Sequence, residues 1–109
     1  MNPFKELISK CRFQERYIQH FQGLEDEGID YRHVYSQPED NPYIIVDLDN
    51  HQFMARLTLW ASGDCEVDVI SFKDSSVIVR DAFEYTSLDE YEEKLLWLIQ
   101  YMRESRVSH

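Results

Sequence analysis

The chain has 109 residues, 43% of them hydrophobic and 14% aromatic, which suits one folded domain spanning 1–109 and is too short for a second core. A formal net charge of −10 argues against nucleic acid or anionic membrane as partners and favours fast association with a basic one. No apolar run approaches the roughly 20 residues of a membrane-spanning helix, and MNPFKELISK carries charges where a signal peptide would be apolar, so the expected compartment is cytoplasmic.

The charge is unevenly spread. Residues 1–37 hold six acids and five bases, whereas residues 38–109 hold fifteen acids and six bases, so the excess falls on the second part of the chain. Cys11 and Cys65 have no metal-like spacing and are expected to be buried free thiols.

In chain order, Asn2-Pro3 reads as a helix start, an N-cap followed by proline at the first helical position. Phe4, Leu7, Ile8, Cys11, Ile18, Phe21 and Leu24 make one apolar stripe, predicting a single amphipathic helix over about 3–22. Gly23 and Gly28 bracket its acidic end. Tyr31–Tyr35 is a short strand candidate, expected at a sheet edge, and SQPEDNP follows as a loop.

From Asn41 to Tyr85 apolar residues alternate in short runs, predicting a four-stranded meander. A two-residue turn at Asp49-Asn50 would set Leu48 opposite His51, Val46 opposite Phe53 and Ile44 opposite Ala55. A three-residue loop at Ser62-Gly63-Asp64 would pair Leu59 with Val67, Leu57 with Val69, Trp60 with Glu66, Thr58 with Asp68 and Arg56 with Ile70. Either way Ile44, Val46, Leu48, Phe53, Ala55, Leu57, Leu59, Val67 and Val69 share the core face. Tyr43, Asp47, Arg56, Trp60, Glu66 and Asp68 share the other. Around Lys73–Ser76 the pattern conflicts: one register turns Asp81 inward and the other Arg80, and a β-bulge near Arg80 or Asp81 would reconcile them.

Ser87-Leu88-Asp89-Glu90 is a capping box opening a last helix, with Leu88, Tyr91, Leu95, Leu98, Ile99 and Met102 as its buried stripe and a loose tail from Val107. The predicted architecture is α+β, a two-layer sandwich. An antiparallel meander of four to five strands has N-terminal and C-terminal helices packed on one face, and its other face is open.

Chemistry is sparse. Asp47 and Asp49 could share a strand face and a divalent cation, but a turn needs such residues anyway; His20, His33 and His109 lack metal spacing. Three glycines leave no phosphate-cradling loop, and no Ser or Cys sits in a nucleophile elbow. Glu66 and Asp68 on one solvated strand face have nothing to separate their pKa values. No enzyme activity, metal or cofactor is expected. Tyr31, Tyr35, Tyr43 and Trp60 could stack on bases, but the surrounding charge has the wrong sign. A protein-binding surface remains: Tyr43, Asp47, Arg56, Trp60, Glu66 and Asp68, with Trp60 either exposed among carboxylates or tucked under the first strand or a helix end.

Leu59-Trp60-Ala61-Ser62-Gly63, the strand Cys65-Glu66-Val67-Asp68-Val69 and Phe83-x-x-x-Ser87-Leu88-x-Glu90 together resemble the TriTu-type immunity proteins of bacterial polymorphic and contact-dependent toxin systems. The resemblance covers about the last two-thirds of the chain, and Trp60, Gly63 and Glu66 match its W-x-S-G-x-x-E pattern. It implies a cytoplasmic protein, monomeric when free, that neutralises the C-terminal domain of a cognate toxin, a basic protein of nuclease type. The alternative is an acidic secretion chaperone or adaptor that binds a basic cargo and dimerises.

Overall fold

A computed structural model describes residues 3–9, 12–36 and 41–105. The Asn2 cap, Cys11, loop residues 37–40 and the tail from Arg106 lie outside that set. The order is α1 (Pro3–Ser9), α2 (Phe13–Phe21), a 3₁₀ turn (Glu25–Glu27), β1 (Asp30–Ser36), β2 (Tyr43–Asp49), β3 (Phe53–Trp60), β4 (Asp64–Ser71), β5 (Val77–Glu84) and α3 (Leu88–Ser105). The strands form one antiparallel sheet in sequence order, an α+β sandwich with helices on one face.

The first helix is therefore two helices. The break changes the phase of the apolar stripe: Phe4, Leu7, Ile8, Phe21 and Leu24 are buried as expected, but Phe13 and Tyr17 join Phe21 on the core side of α2, and Ile18 is only half-buried. Four-residue spacing keeps those three rings on one side of α2. They build an aromatic layer, with Phe21 stacked on Tyr31 at 3.8 Å and Tyr17 edge-on to Tyr91 at 5.7 Å. His20 of α2 meets Glu92 of α3 at 2.7 Å, and Arg103 donates two parallel hydrogen bonds to Glu27, so α3 is tied to both segments before the sheet.

Ile44, Val46, Leu48, Ala55, Leu57, Leu59, Cys65, Val67 and Val69 are buried under Tyr91, Leu95, Leu98, Ile99 and Met102, the stripe expected of α3 apart from Leu88, which is only partly buried. Phe53 is only partly buried and packs edge-on to Tyr101. Cys65 is a free thiol, pushed up to about 12 chiefly by its burial. At the start of α3, Glu90 N–H donates to Ser87 Oγ and Glu90 Oε1 accepts from Thr86 N–H and Oγ, so the box closes one residue earlier than its simplest form.

Both early hairpins keep their expected faces but not their expected partners. Ile44 pairs with Leu59, Val46 with Leu57 and Leu48 with Ala55, so the tight turn is His51-Gln52. Asn50 explains the displacement. Only 3% exposed, it donates to the Met102 carbonyl and Ser105 Oγ and accepts from the Gln52 and Phe53 N–H groups. Its side chain is an anchor inside the protein and not a turn apex, and His51 takes the positive φ of 74°.

In the next hairpin Leu59 pairs with Cys65, Leu57 with Val67 and Arg56 with Asp68. The three-residue loop is Ala61-Ser62-Gly63. Gly63 holds φ at +96°, and a Cβ there would lie 2.5 Å from the Tyr85 carbonyl oxygen, so only glycine fits. The last hairpin has its bulge at Ile78, between the pairs Ile70–Val77 and Val69–Val79, and not near Arg80 or Asp81. Asp81 does turn to the helix side, opposite Val67, yet stays wet because β5 is an edge strand beyond the helices' cover.

Candidate protein-binding face

The open face of the sheet carries a row of alternating charge across all five strands. The pairings place Arg32, Asp47, Arg56, Asp68 and Arg80 side by side, one from each strand. Asp47 accepts two hydrogen bonds from Arg56, at 2.8 and 3.2 Å, and lies 3.9 Å from Arg32. Asp68 accepts from Arg80 at 2.9 Å. Hydrogen bonding to Asp47, with further attraction from Asp68, raises the Arg56 pKa.

The two charge types differ in exposure. The arginine side chains are 75%, 50% and 68% exposed along the row, and the intervening aspartates 11% and 27%. Across the middle of the sheet a partner therefore meets guanidinium groups backed by carboxylates.

Toward the β3–β4 turn the surface becomes acidic and aromatic. One row runs Ser36, Tyr43, Trp60, Asp64, Glu84, and the row between it and the arginines runs Val34, Ile45, Thr58, Glu66, Ala82. Trp60 is half-buried, neither fully exposed nor in the core, with its ring 6.2 Å from that of Tyr43. Asp64, Glu66 and Glu84 are exposed and form no ion pair among the described residues. The turn is held by Ser62, whose N–H donates to Asn41 Oδ1 and whose hydroxyl donates to Asp64.

All six residues singled out from the sequence thus lie on one face, in two groups. Asp47, Arg56 and Asp68 are engaged with one another and with Arg32 and Arg80; Tyr43, Trp60 and Glu66 stand at the turn end without such partners. Arg32 and Arg80 were missed because only the true register reveals them as row members. The expected pair of Thr58 with Asp68 hid the row by placing Asp68 beside a neutral residue.

Trp97 and Leu96 were missed as well. They lie on the solvent side of α3, 40% and 41% exposed, and the Lys94 ammonium sits 4.3 Å from the Phe83 ring and 4.5 Å from that of Trp97. No group of three or more His, Cys, Asp or Glu among the described residues could hold a metal ion, and no described helix is long and apolar enough to cross a membrane.

Residues 12–101 match the family model described as "Immunity protein TriTu". No curated protein matches the chain.

Proposed function

The chain belongs to the TriTu family of immunity proteins, and on that footing we propose that it binds and neutralises a cognate toxin domain through the open face of its sheet. The observation that carries the choice of face is the gathering of Asp64, Glu66 and Glu84, exposed and without ion pairs among the described residues, beside the half-buried rings of Trp60 and Tyr43. An aromatic anchor beside solvated carboxylates suits a cationic protein surface, since the ring supplies buried area and a quadrupole while the acids steer the encounter. A toxin domain that handles nucleic acid has such a basic surface, and an acidic partner seated there excludes the substrate. The fit is to a basic, nuclease-type domain of a contact-dependent or other polymorphic toxin, met in the cytoplasm by a monomeric immunity protein.

The test uses the C-terminal domain encoded by the gene immediately upstream. Co-expression of the chain is expected to rescue cells from that domain, and the purified pair to form a one-to-one complex whose association slows between low and physiological salt. Glu66→Lys combined with Asp64→Lys should weaken binding roughly tenfold or more. Unchanged affinity in that variant would move the interface off this face, and absence of both complex and rescue would overturn the function.

A further inference from the structure

The open face is acidic and aromatic at one end only, and the arginine row constrains what the rest of a partner can carry. We propose that the toxin surface opposed to this sheet is striped, with cations against the Trp60 end and carboxylates against Arg32, Arg56 and Arg80. This rests on the toxin-binding role of the face.

A uniformly basic surface laid over the sheet would press cations against three exposed guanidinium groups, and like charges juxtaposed at an interface are strongly unfavourable. The aspartates relieve this only in part, because two carboxylates lie beneath and between three more exposed guanidiniums and leave the row one positive charge in excess. Arg56 spends Nε and one Nη on Asp47, and Arg80 spends Nε on Asp68. A guanidinium has five N–H donors, so both keep donors for a partner, and a carboxylate is the acceptor whose shape they match. Asp47 and Asp68 also hold Arg56 and Arg80 in place, so a partner carboxylate meets donors already ordered.

The spacing makes the complement specific. Arg32, Arg56 and Arg80 come from alternate strands, so they stand roughly 10 Å apart in a line across the sheet. Glu66 lies two residues along β4 from Asp68, placing the acidic end roughly 7 Å beyond that line. A toxin basic throughout its contact surface would be met by the acids and refused by the arginines. One carrying its acids in the right line would be accepted by both, giving discrimination between toxins of similar net charge.

The experiment measures binding of the upstream-encoded toxin domain to Arg80→Gln and Arg32→Gln, with Glu66→Lys alongside. Both arginines are exposed residues of edge strands, and matching melting temperatures check that the variants fold. The striped surface predicts roughly tenfold weaker binding for each glutamine variant, and for Arg80→Glu a loss that is restored by a lysine in place of one acidic residue of the toxin. Tighter or unchanged binding of the glutamine variants, while Glu66→Lys weakens it, overturns the stripe and leaves the acidic docking in place. If Glu66→Lys also has no effect, or the unaltered chain does not bind, the use of this face fails as a whole.

Discussion

Asp47 and Arg56 face each other across β2 and β3 and share two hydrogen bonds, the aspartate largely buried beneath the guanidinium. Exposed ion pairs contribute little, but here one partner has lost most of its water and cannot be left alone cheaply. A double-mutant cycle on Asp47→Ala and Arg56→Ala should give a coupling of about 1 kcal/mol in urea unfolding. Arg32→Ala with Asp47→Ala should give less, since that contact is 3.9 Å and its arginine is 75% exposed. Equal couplings would mean that the row acts through bulk charge and not through the paired geometry.

Asn50→Ala removes an amide that donates twice to the end of α3 and an oxygen that accepts from the N–H groups of both Gln52 and Phe53. The Met102 carbonyl belongs to the last turn of α3, where backbone carbonyls run short of helical N–H partners, and it accepts from both the Asn50 amide and the Ser105 hydroxyl. The expected loss is about 3 kcal/mol, from several hydrogen bonds and the buried groups left without partners. Amide exchange should quicken together at Phe53 and in the last turn of α3. Loss confined to the hairpin would refute the link between them.

The alternation of β2, β3 and β4 made the two sheet faces legible in the sequence, because a shift of register by an even number of residues, four in the first hairpin and two in the second, moves the partners and leaves the faces alone. That insensitivity also hid the charged row, which exists only in one register. Asn50 and Asp49 read as turn residues by type, and nothing local distinguishes an Asn at a turn apex from one whose amide reaches a helix 52 positions later. Likewise the stripe through Cys11, Ile18 and Phe21 fits an unbroken helix, and only packing against Tyr31 and Tyr91 brings Phe13 and Tyr17 onto the core side beside Phe21.

Gly63 of the family pattern is required by backbone geometry. Gly63→Ala must strain a φ of +96° or move the Tyr85 carbonyl, which accepts no Cβ at 2.5 Å. A loss of about 3 kcal/mol in stability is expected. Below the melting transition, affinity for the toxin domain should stay close to that of the unaltered chain. A variant that is fully stable but binds poorly would instead put Gly63 in the interface.

His33 lies under α2, its Nδ1 against the Tyr31 hydroxyl and its ring 5.5 Å from Phe13, and burial lowers its pKa. Burial likewise raises the Tyr31 pKa, so the phenol stays protonated beside the imidazole with which it shares a hydrogen bond. Below about pH 6.5 the unfolded chain takes a proton that the folded chain resists, so stability should fall as pH drops through that value. His33→Gln should lose less stability than the unaltered chain between pH 7.5 and 5.5, other titrating groups cancelling in the difference. Parallel pH curves would remove His33 as the cause.

Asp81 sits on the helix side of β5 between Val79 and Phe83, opposite Val67, on a strand that is last in the sheet. An inward-turned charge and a bulge are two ways in which a free edge resists pairing with another chain, and β5 has both, the bulge at Ile78. Exposed Val77 and Ile78 and half-buried Val79 would otherwise make it an adhesive edge. Asp81→Val leaves an unbroken apolar strip from Val79 to Phe83 beside Trp97. The expected result is a chain that remains folded, as monitored by far-UV dichroism, but associates with rising concentration in sedimentation velocity. Asp81→Asn, neutral yet polar, should associate less than the valine variant. If both stay monomeric at concentrations where the unaltered chain does, the bulge alone is sufficient to guard the edge.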